Sequence, residues 1–445
     1  MPECDDGRCR RHAGRASGRS KAMWTLGDQV ISSGTNALIA FAVARRVSAG
    51  QFGAFSIAFA LFALVVGFSR AAGTSPLGMK YADAAPRIFR AAGAAATGTA
   101  LVLGMITGGC LVAVGAVLGT TVGAAIAAMG LVMPGLLLQD AWRYVFIAEG
   151  RPAKAAVNDM VWTVIQLGGV FFLLRHGVGS SATYLLVWGG AAAAAALVGI
   201  AQSGFWPAPV RSREWIRRHR EVAGYMSAEY ITVQGAQQGS TLLIGVFGTA
   251  IAVGALRGVQ TLLGPTTILA VGIISFAIPE FSRRRDMSAR ARIRSATMLS
   301  CLVVGAGVLW GALFLLVPDR VGVALLGDTW AQTRGILVLT IIQQAGAAAT
   351  VGPACMLYAL GQPKLTFRAH CVLAPALFVF PVAGLARYGL QGAVVGYIIA
   401  FWMTVPLWFV LLHRAAHRAE VPTRDLLGSA EKAVSRGPEA MRTVC

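Results

Sequence analysis

Polar side chains recur at helical spacing inside long apolar runs, and they are the residues with chemistry to offer. Asp28, Ser32 and Asn36 stand four residues apart, in a stretch that also carries Gln29, Ser33 and Thr35. Steps of four place side chains on one helix face. A second stretch carries Glu229, Thr232, Gln234, Gln237, Gln238 and Thr241, the last four forming a stripe. A third, LLLQDAWRYVF (136–146), puts Gln139 and Arg143 on one face, with Asp140 three residues ahead of Arg143. Arg257 and Gln260 form a further polar face ahead of Pro265, and Arg70 closes an apolar run. Carboxylates can take a proton or a cation, amides can hydrogen-bond hydroxyl groups, and guanidinium groups suit phosphate and other oxyanions.

The surroundings of these residues are oil-like. The chain has 445 residues, 56% hydrophobic and only 13% charged, with a mean hydropathy of +0.65. A soluble domain carries about 25% charged residues, and a bilayer core asks about 20 apolar residues of a helix. Helices are expected at 24–44, 54–72, 92–117, 122–147, 155–174, 183–205, 223–246, 253–279, 296–317, 335–360, 370–386 and 393–412. The expected fold class is therefore an all-α integral membrane protein of about 12 transmembrane helices. Trp24, Trp142, Trp162, Trp206 and Trp402 fall near helix ends, as an interfacial aromatic belt does.

The formal net charge of +20 would suggest nucleic acid in a soluble chain, but its distribution points elsewhere. With a cytoplasmic N-terminus, 30 of the 39 Lys and Arg fall on the cytoplasmic side and six on the other. That bias fixes both termini in the cytoplasm. The basic rim suits anionic membrane lipids, and no nucleic-acid partner is expected.

The chain divides into a disordered cytoplasmic tail (1–21), an N-terminal six-helix bundle (22–206), a basic cytoplasmic linker (207–222), a C-terminal six-helix bundle (223–412) and a second tail (413–445). The halves echo each other. FIAEGRPAKAAVND (146–159) and LYALGQPKLTFRAH (357–370) share an aromatic, a Gly-x-Pro and a basic residue at an offset of 211. Asp28 and Glu229 are early acids of the first and seventh helices, at an offset of 201. Six spans per repeat leave the two copies parallel and pseudo-symmetric, with a central cavity between them.

Enzyme chemistry finds no foothold. The six histidines are scattered over tails, loops and helix starts, and no phosphate loop or nucleophile elbow occurs. Cys110, Cys301, Cys355 and Cys371 read as small buried hydrophobes. No catalytic residue, metal site or cofactor is expected. The first helix has the length of an uncleaved anchor. Each intramembrane polar residue also has a purely structural reading. Ser and Thr can be interhelical glue, Asp140 can pair with Arg143 within one helix, and Arg70 and Arg257 can snorkel.

Two passages resemble bacterial polysaccharide repeat-unit flippases of the multidrug/oligosaccharidyl-lipid/polysaccharide exporter superfamily. LGDQVISSGTNALIAFAVARRVSAGQFGAFSIAFAL (26–61) is similar to their first two helices, and QDAWRYVFIAEGRPAKAAVNDMVW (139–162) to their fourth-to-fifth helix passage. The likeness spans 24–412 loosely. The twelve helices fit less well with the lipid II flippases, which have fourteen. The 73–91 loop lacks the major-facilitator signature. The resemblance implies two six-helix bundles in a V, in a bacterial cytoplasmic (inner or plasma) membrane. It implies translocation of an undecaprenyl-diphosphate-linked glycan, with pathway glycosyltransferases or a polymerase as partners. Arg143, Arg257 and Arg70 would then neutralise the diphosphate. Gln139, Asn36, Gln237 and Gln238 would bind sugars, and Asp28, Glu229 and Asp140 would take a coupling ion. The alternative on the same fold is a multidrug/cation antiporter.

Overall fold

The computed structural model describes residues 34–284 and 287–419, so Asp28 and Trp24 lie outside the described residues. All regular structure among the described residues is helical. The second to sixth helices are Ala49–Lys80, Pro86–Leu118, Thr121–Ala148, Pro152–Arg175 and Ser181–Ser203. The first is described from 34 to 46, and the seventh runs over 220–247. The eighth is bent by 53° where Ala250–Leu262 meets Gly264, just before Pro265. The ninth is Ala289–Leu315, and the tenth joins Trp330–Ala349 to Val351–Ala359. Pro363–Arg418 folds back at Tyr388 and Gly389, which makes it the eleventh and twelfth helices. Twelve helical segments thus stand where twelve were expected, and eight helices, or nine with the bent pair, are long and apolar enough to cross a membrane among the described residues.

Most helices outrun their expected bounds at the end of the bundle that carries the linker. The second runs to Lys80 rather than 72, the third starts at Pro86 rather than 92, and the last reaches Arg418 rather than 412. Hydropathy marks only the oily window, whereas a helix continues through basic surface turns that satisfy its backbone equally well. Residues 413–418, expected in a tail, are therefore helical.

At the opposite end, short turns are held by side-chain caps. Ser48, Thr120 and Thr249 accept from the backbone N–H of Gln51, Gly123 and Ala252 at 3.4, 3.1 and 3.1 Å. Each cap satisfies an amide that would otherwise be bare near hydrocarbon.

The internal repeat is visible in the backbone. Arg151 N–H donates to the Phe146 carbonyl and Gly150 N–H to Ile147, at 2.9 and 3.0 Å; Gln362 and Gly361 do the same to Leu357 and Tyr358, at 2.9 and 3.0 Å. Gly150 (φ 76°) and Gly361 (φ 68°) occupy the left-handed position that such a helix end requires. Pro152 and Pro363 then open the next helix in each half.

Packing rests on small residues, since lipid supplies no hydrophobic drive between helices. A Cβ on Gly108 would come within 2.5 Å of the Gly130 carbonyl oxygen, and one on Gly130 within 2.6 Å of the Gly108 oxygen. Trp142 is core rather than belt: it is fully buried, stacked near Phe146 and Phe205 at 6.1 and 5.2 Å. Trp206 and Trp402 do lie exposed. Cys355 is buried, but Cys110, Cys301 and Cys371 are exposed on the apolar flank, where a thiol is equally at home.

The linker is structured. Residues Ser212–Arg218 form a helix whose Trp215 Nε1–H donates to the Gly73 carbonyl at 3.1 Å. Gly73 belongs to a π-helical turn, Arg70–Thr74, within the second helix. His219 is buried beside Trp215; its Nδ1 lies 3.0 Å from the Trp215 carbonyl and its Nε2 3.2 Å from the Tyr81 hydroxyl. A neutral ring protonated on Nδ1 satisfies both contacts. Burial pushes the His219 pKa below its usual value, with Lys80 and Arg218 adding to the effect against the carbonyl hydrogen bond.

Two tests follow from this packing. Gly130→Leu is expected to lower the thermal midpoint by the equivalent of about 1–3 kcal/mol through overpacking, whereas Gly109→Leu, with nothing within 4 Å of its added Cβ, leaves it unchanged. The depressed His219 pKa makes the linker's anchorage complete above the ordinary histidine value of about 6.5 and weaker as pH falls through that value. Amide exchange across 212–219 is therefore expected to accelerate between pH 7.5 and 5.5 beyond its intrinsic pH trend, and His219→Gln removes the excess.

Candidate substrate site between the halves

The charges inside the membrane-spanning helices of the first half are paired off. Arg70 donates two hydrogen bonds to Asp140, Nε to Oδ2 at 2.9 Å and Nη2 to Oδ1 at 2.7 Å. The Arg70 guanidinium also lies 5.1 Å from the Tyr144 ring centre. Arg143 Nε sits 3.4 Å from Asp159 Oδ2. Asp140 therefore pairs across to the second helix and Arg143 across to the fifth, and the expected pair within the fourth helix does not form. The π-helical turn at Arg70 adds a residue to the turn and changes the direction of the side chains around it, so 3.6-residue spacing misreads this register.

Gln139 is tied into the same scaffold. Its Nε2 donates to Asp159 Oδ1 at 2.7 Å and to Asn158 Oδ1 at 3.4 Å, and the residue is 2% exposed. Asn158 Nδ2 continues to the Ala195 carbonyl at 2.8 Å and Gln202 Oε1 at 3.1 Å. This network staples the fourth, fifth and sixth helices. Gln139 faces no open space, which corrects its expected role as a sugar ligand.

Between the halves the pattern changes. The Arg257 guanidinium of the eighth helix lies over the Phe59 ring of the second, 3.9 Å from its centre. Its Nε is buried without a hydrogen-bond partner, and it makes no ion pair among the described residues. Arg257 borders a cavity of about 330 Å³ lined by Asn36, Phe59, Gln260, Thr261 and Thr267 among others, with no acidic residue in the lining among the described residues. Of the expected site residues, Asn36 and Arg257 meet here. Arg70, Gln139, Asp140 and Arg143 lie within the first half. Gln237 and Gln238 are half-buried on the seventh helix and do not line this cavity. Glu229 accepts a hydrogen bond from the Tyr358 hydroxyl at 3.2 Å, also outside the cavity lining.

Two seams flank the cavity along the second helix. On one side of Phe59, Gly53 packs against the backbone of Ala250, and Gly254 approaches so closely that its Cβ would lie 3.2 Å from the Gly53 Cα. On the other side, the Tyr230 ring rests on Gly67, with the Phe68 ring 5.9 Å away and its hydroxyl donating to the Ala63 carbonyl. Tyr230 also adjoins a second π-helical turn, Ile231–Gly235. Gln260 was signalled by its position three residues after Arg257. Phe59 and Tyr230 carried no signal, being aromatics among many in apolar runs.

No family model matches the chain, and no curated protein matches it. Solved structures do. The lipid II flippase MurJ in its inward closed conformation is similar with a TM-score of 0.60 at 12% identity, over 93% of this chain and 92% of that one. The eukaryotic MATE transporter AtDTX14 gives 0.59 at 13%, over 91% and 98%. An inward-facing multidrug resistance MATE family transporter of the MOP superfamily gives 0.58 at 13%, over 90% and 95%. The chain shares the fold of these three structures. Within that fold, the seams at Gly53 and Gly67 join the second helix to the eighth and seventh, and Arg257 lies between them.

Removing one partner of the Arg70–Asp140 pair leaves a charge in a poor solvent, which costs about 3–5 kcal/mol where the pair is fully dry. The Arg70 side chain is 37% exposed, so Asp140→Ala is expected to destabilise by about 2 kcal/mol, and the double variant Arg70→Gln/Asp140→Asn by less than the two single losses combined. Denaturation of the purified protein in detergent measures both.

Proposed function

We propose that the chain carries a lipid-linked anionic glycan precursor, of the undecaprenyl-diphosphate type, across a bacterial cytoplasmic membrane by alternating access. The observation that supports this is the state of Arg257. A guanidinium with its Nε buried and no acid beside it among the described residues has lost hydration at a cost of several kcal/mol. Stacking on Phe59 returns about 0.5–2 kcal/mol, so the cavity keeps a net preference for an incoming anion. A diphosphate supplies that charge, with Asn36 and Gln260 offering amides to adjoining hydroxyl groups.

The size of the cavity sets the mechanism. About 330 Å³ holds a charged headgroup and little more. The rest of a glycan needs the halves to part, at the Gly53–Ala250 seam on one side or the Tyr230–Gly67 seam on the other. The lipid tail stays in the bilayer throughout. With both termini in the cytoplasm, an inside-negative potential drives an anion outward by about 2.3 kcal/mol per charge per 100 mV, so no nucleotide is required. In this reading Arg70, Asp140 and Arg143 hold the scaffold rather than the substrate, and the pathway's glycosyltransferases or polymerase stand on either side of the step.

A multidrug/cation antiporter on the same fold is favoured by one feature, Glu229, whose carboxylate has a phenol rather than a cation for its hydrogen-bond partner. The two readings part on charge. In proteoliposomes loaded with a lipid-diphosphate oligosaccharide, Arg257→Gln is expected to reduce translocation at least about tenfold, consistent with loss of a charge-assisted contact, while Glu229→Gln retains it. Cation-driven drug efflux that survives Arg257→Gln and is lost in Glu229→Gln would overturn the proposal.

A further inference from the structure

We propose that the groove between the linker helix and the start of the third helix binds the phosphate headgroup of an anionic phospholipid. The groove encloses about 520 Å³. Residues 87, 88, 91, 92 and 95 give it one face of the third helix, and 211, 214, 215 and 218 one face of the linker helix. Arg87, Arg211 and Arg218 thus converge on one space from two elements, joined there by a single acid, Glu214. None of these four makes an ion pair among the described residues. The formal charge of the lining is +2, an excess of positive charge that attracts the singly negative phosphodiester of an anionic phospholipid.

The surroundings select a lipid over a soluble anion. Trp206 and Val210, which lead into the linker helix, are 75% and 95% exposed, and Ile88 and Ile216 are exposed as well. Large apolar side chains interleaved with arginines at the end of a membrane bundle belong in the headgroup layer, where each kind meets its own solvent. The small side chains at 91, 92 and 95 leave a shallow apolar track down the third helix for the glycerol and first acyl carbons. The site is separate from the cavity at Arg257. It bears on the second helix through Trp215, which lines the groove and donates to Gly73 in the π-helical turn that begins with Arg70. An occupied groove therefore secures the linker against the second helix.

The full chain, purified in detergent, tests this by native mass spectrometry and thermal unfolding with phosphatidylglycerol, phosphatidylcholine or inorganic phosphate added. Phosphatidylglycerol is expected to be retained and to raise the midpoint; phosphatidylcholine and inorganic phosphate are not. A surface arginine near a headgroup contributes roughly fivefold in affinity, so Arg87→Gln/Arg211→Gln/Arg218→Gln should weaken retention on the order of 100-fold. The milder Arg211→Gln/Arg218→Gln should weaken it roughly 25-fold and serves if the triple variant does not fold. Arg283→Gln/Arg284→Gln, which removes two arginines at the same end of the bundle, should leave retention unchanged. Equal retention in wild type and the linker variants, or an equal loss in the Arg283/Arg284 control, would overturn the site. Displacement of phosphatidylglycerol by millimolar inorganic phosphate would make it a free-anion site and overturn the lipid assignment.

Discussion

A charge inside hydrocarbon needs a counter-charge, and the whole arrangement of this bundle follows from where counter-charges are present. In the first half they are close at hand. Arg70 meets Asp140 at 2.7 Å and Arg143 meets Asp159 at 3.4 Å, and the second acid is also held by Gln139. Such groups are compensated by their own half and can be buried during assembly without any ligand. Arg257 is different. It faces the space between halves with an aromatic ring for company. The intramembrane charges of the first half are thus compensated within it, whereas Arg257 has no acid beside it among the described residues.

The second helix is the element on which both halves depend. Over one continuous length it presents Gly53 to the eighth helix, Phe59 to Arg257, Gly67 to Tyr230, and Arg70 to its own half. The two seams differ in kind. The first is backbone against backbone, held close by the absence of side chains. The second is a ring lying on a glycine and anchored through its hydroxyl to the Ala63 carbonyl. Separating the backbone seam would rearrange few side-chain rotamers, whereas separating the tyrosine seam would remove an aromatic contact. The π-helical turns at Arg70–Thr74 and Ile231–Gly235 flank this second seam and supply irregular backbone where the helices must bend.

Much of this was legible in the residues, and the part that was not has a common cause. The number of passes and the repeat between 146–152 and 357–363 were readable, because hydropathy and a Gly-x-Pro turn are local properties. The polarity of the stretches around Asn36 and Arg257 was readable for the same reason. Partner assignment was not. Asp140 stands three residues from Arg143, yet its partner is 70 residues away on a turn whose extra residue no periodicity reveals. Gln139 looked like a ligand because an amide in an apolar run is conspicuous, but its partners Asn158 and Asp159 arrive from the next helix. Trp142 looked interfacial by position and is core by rotation. Spacing fixes which residues share a face; the rotation of that face toward core, cavity or lipid is decided by neighbouring helices.

The linker connects these points. A basic segment joining two halves could have been a flexible tether, but it is a helix with its tryptophan inserted against the second helix and its histidine buried, with a pKa pushed down by that burial. The anchor lies on Gly73, three residues from Arg70, and ties the linker to the turn that flanks the tyrosine seam. A covalent connection that merely kept the halves together would need no such contact. One that is docked beside the seam joins the proposed lipid groove to the second helix, while Arg257 and its cavity lie apart from that contact.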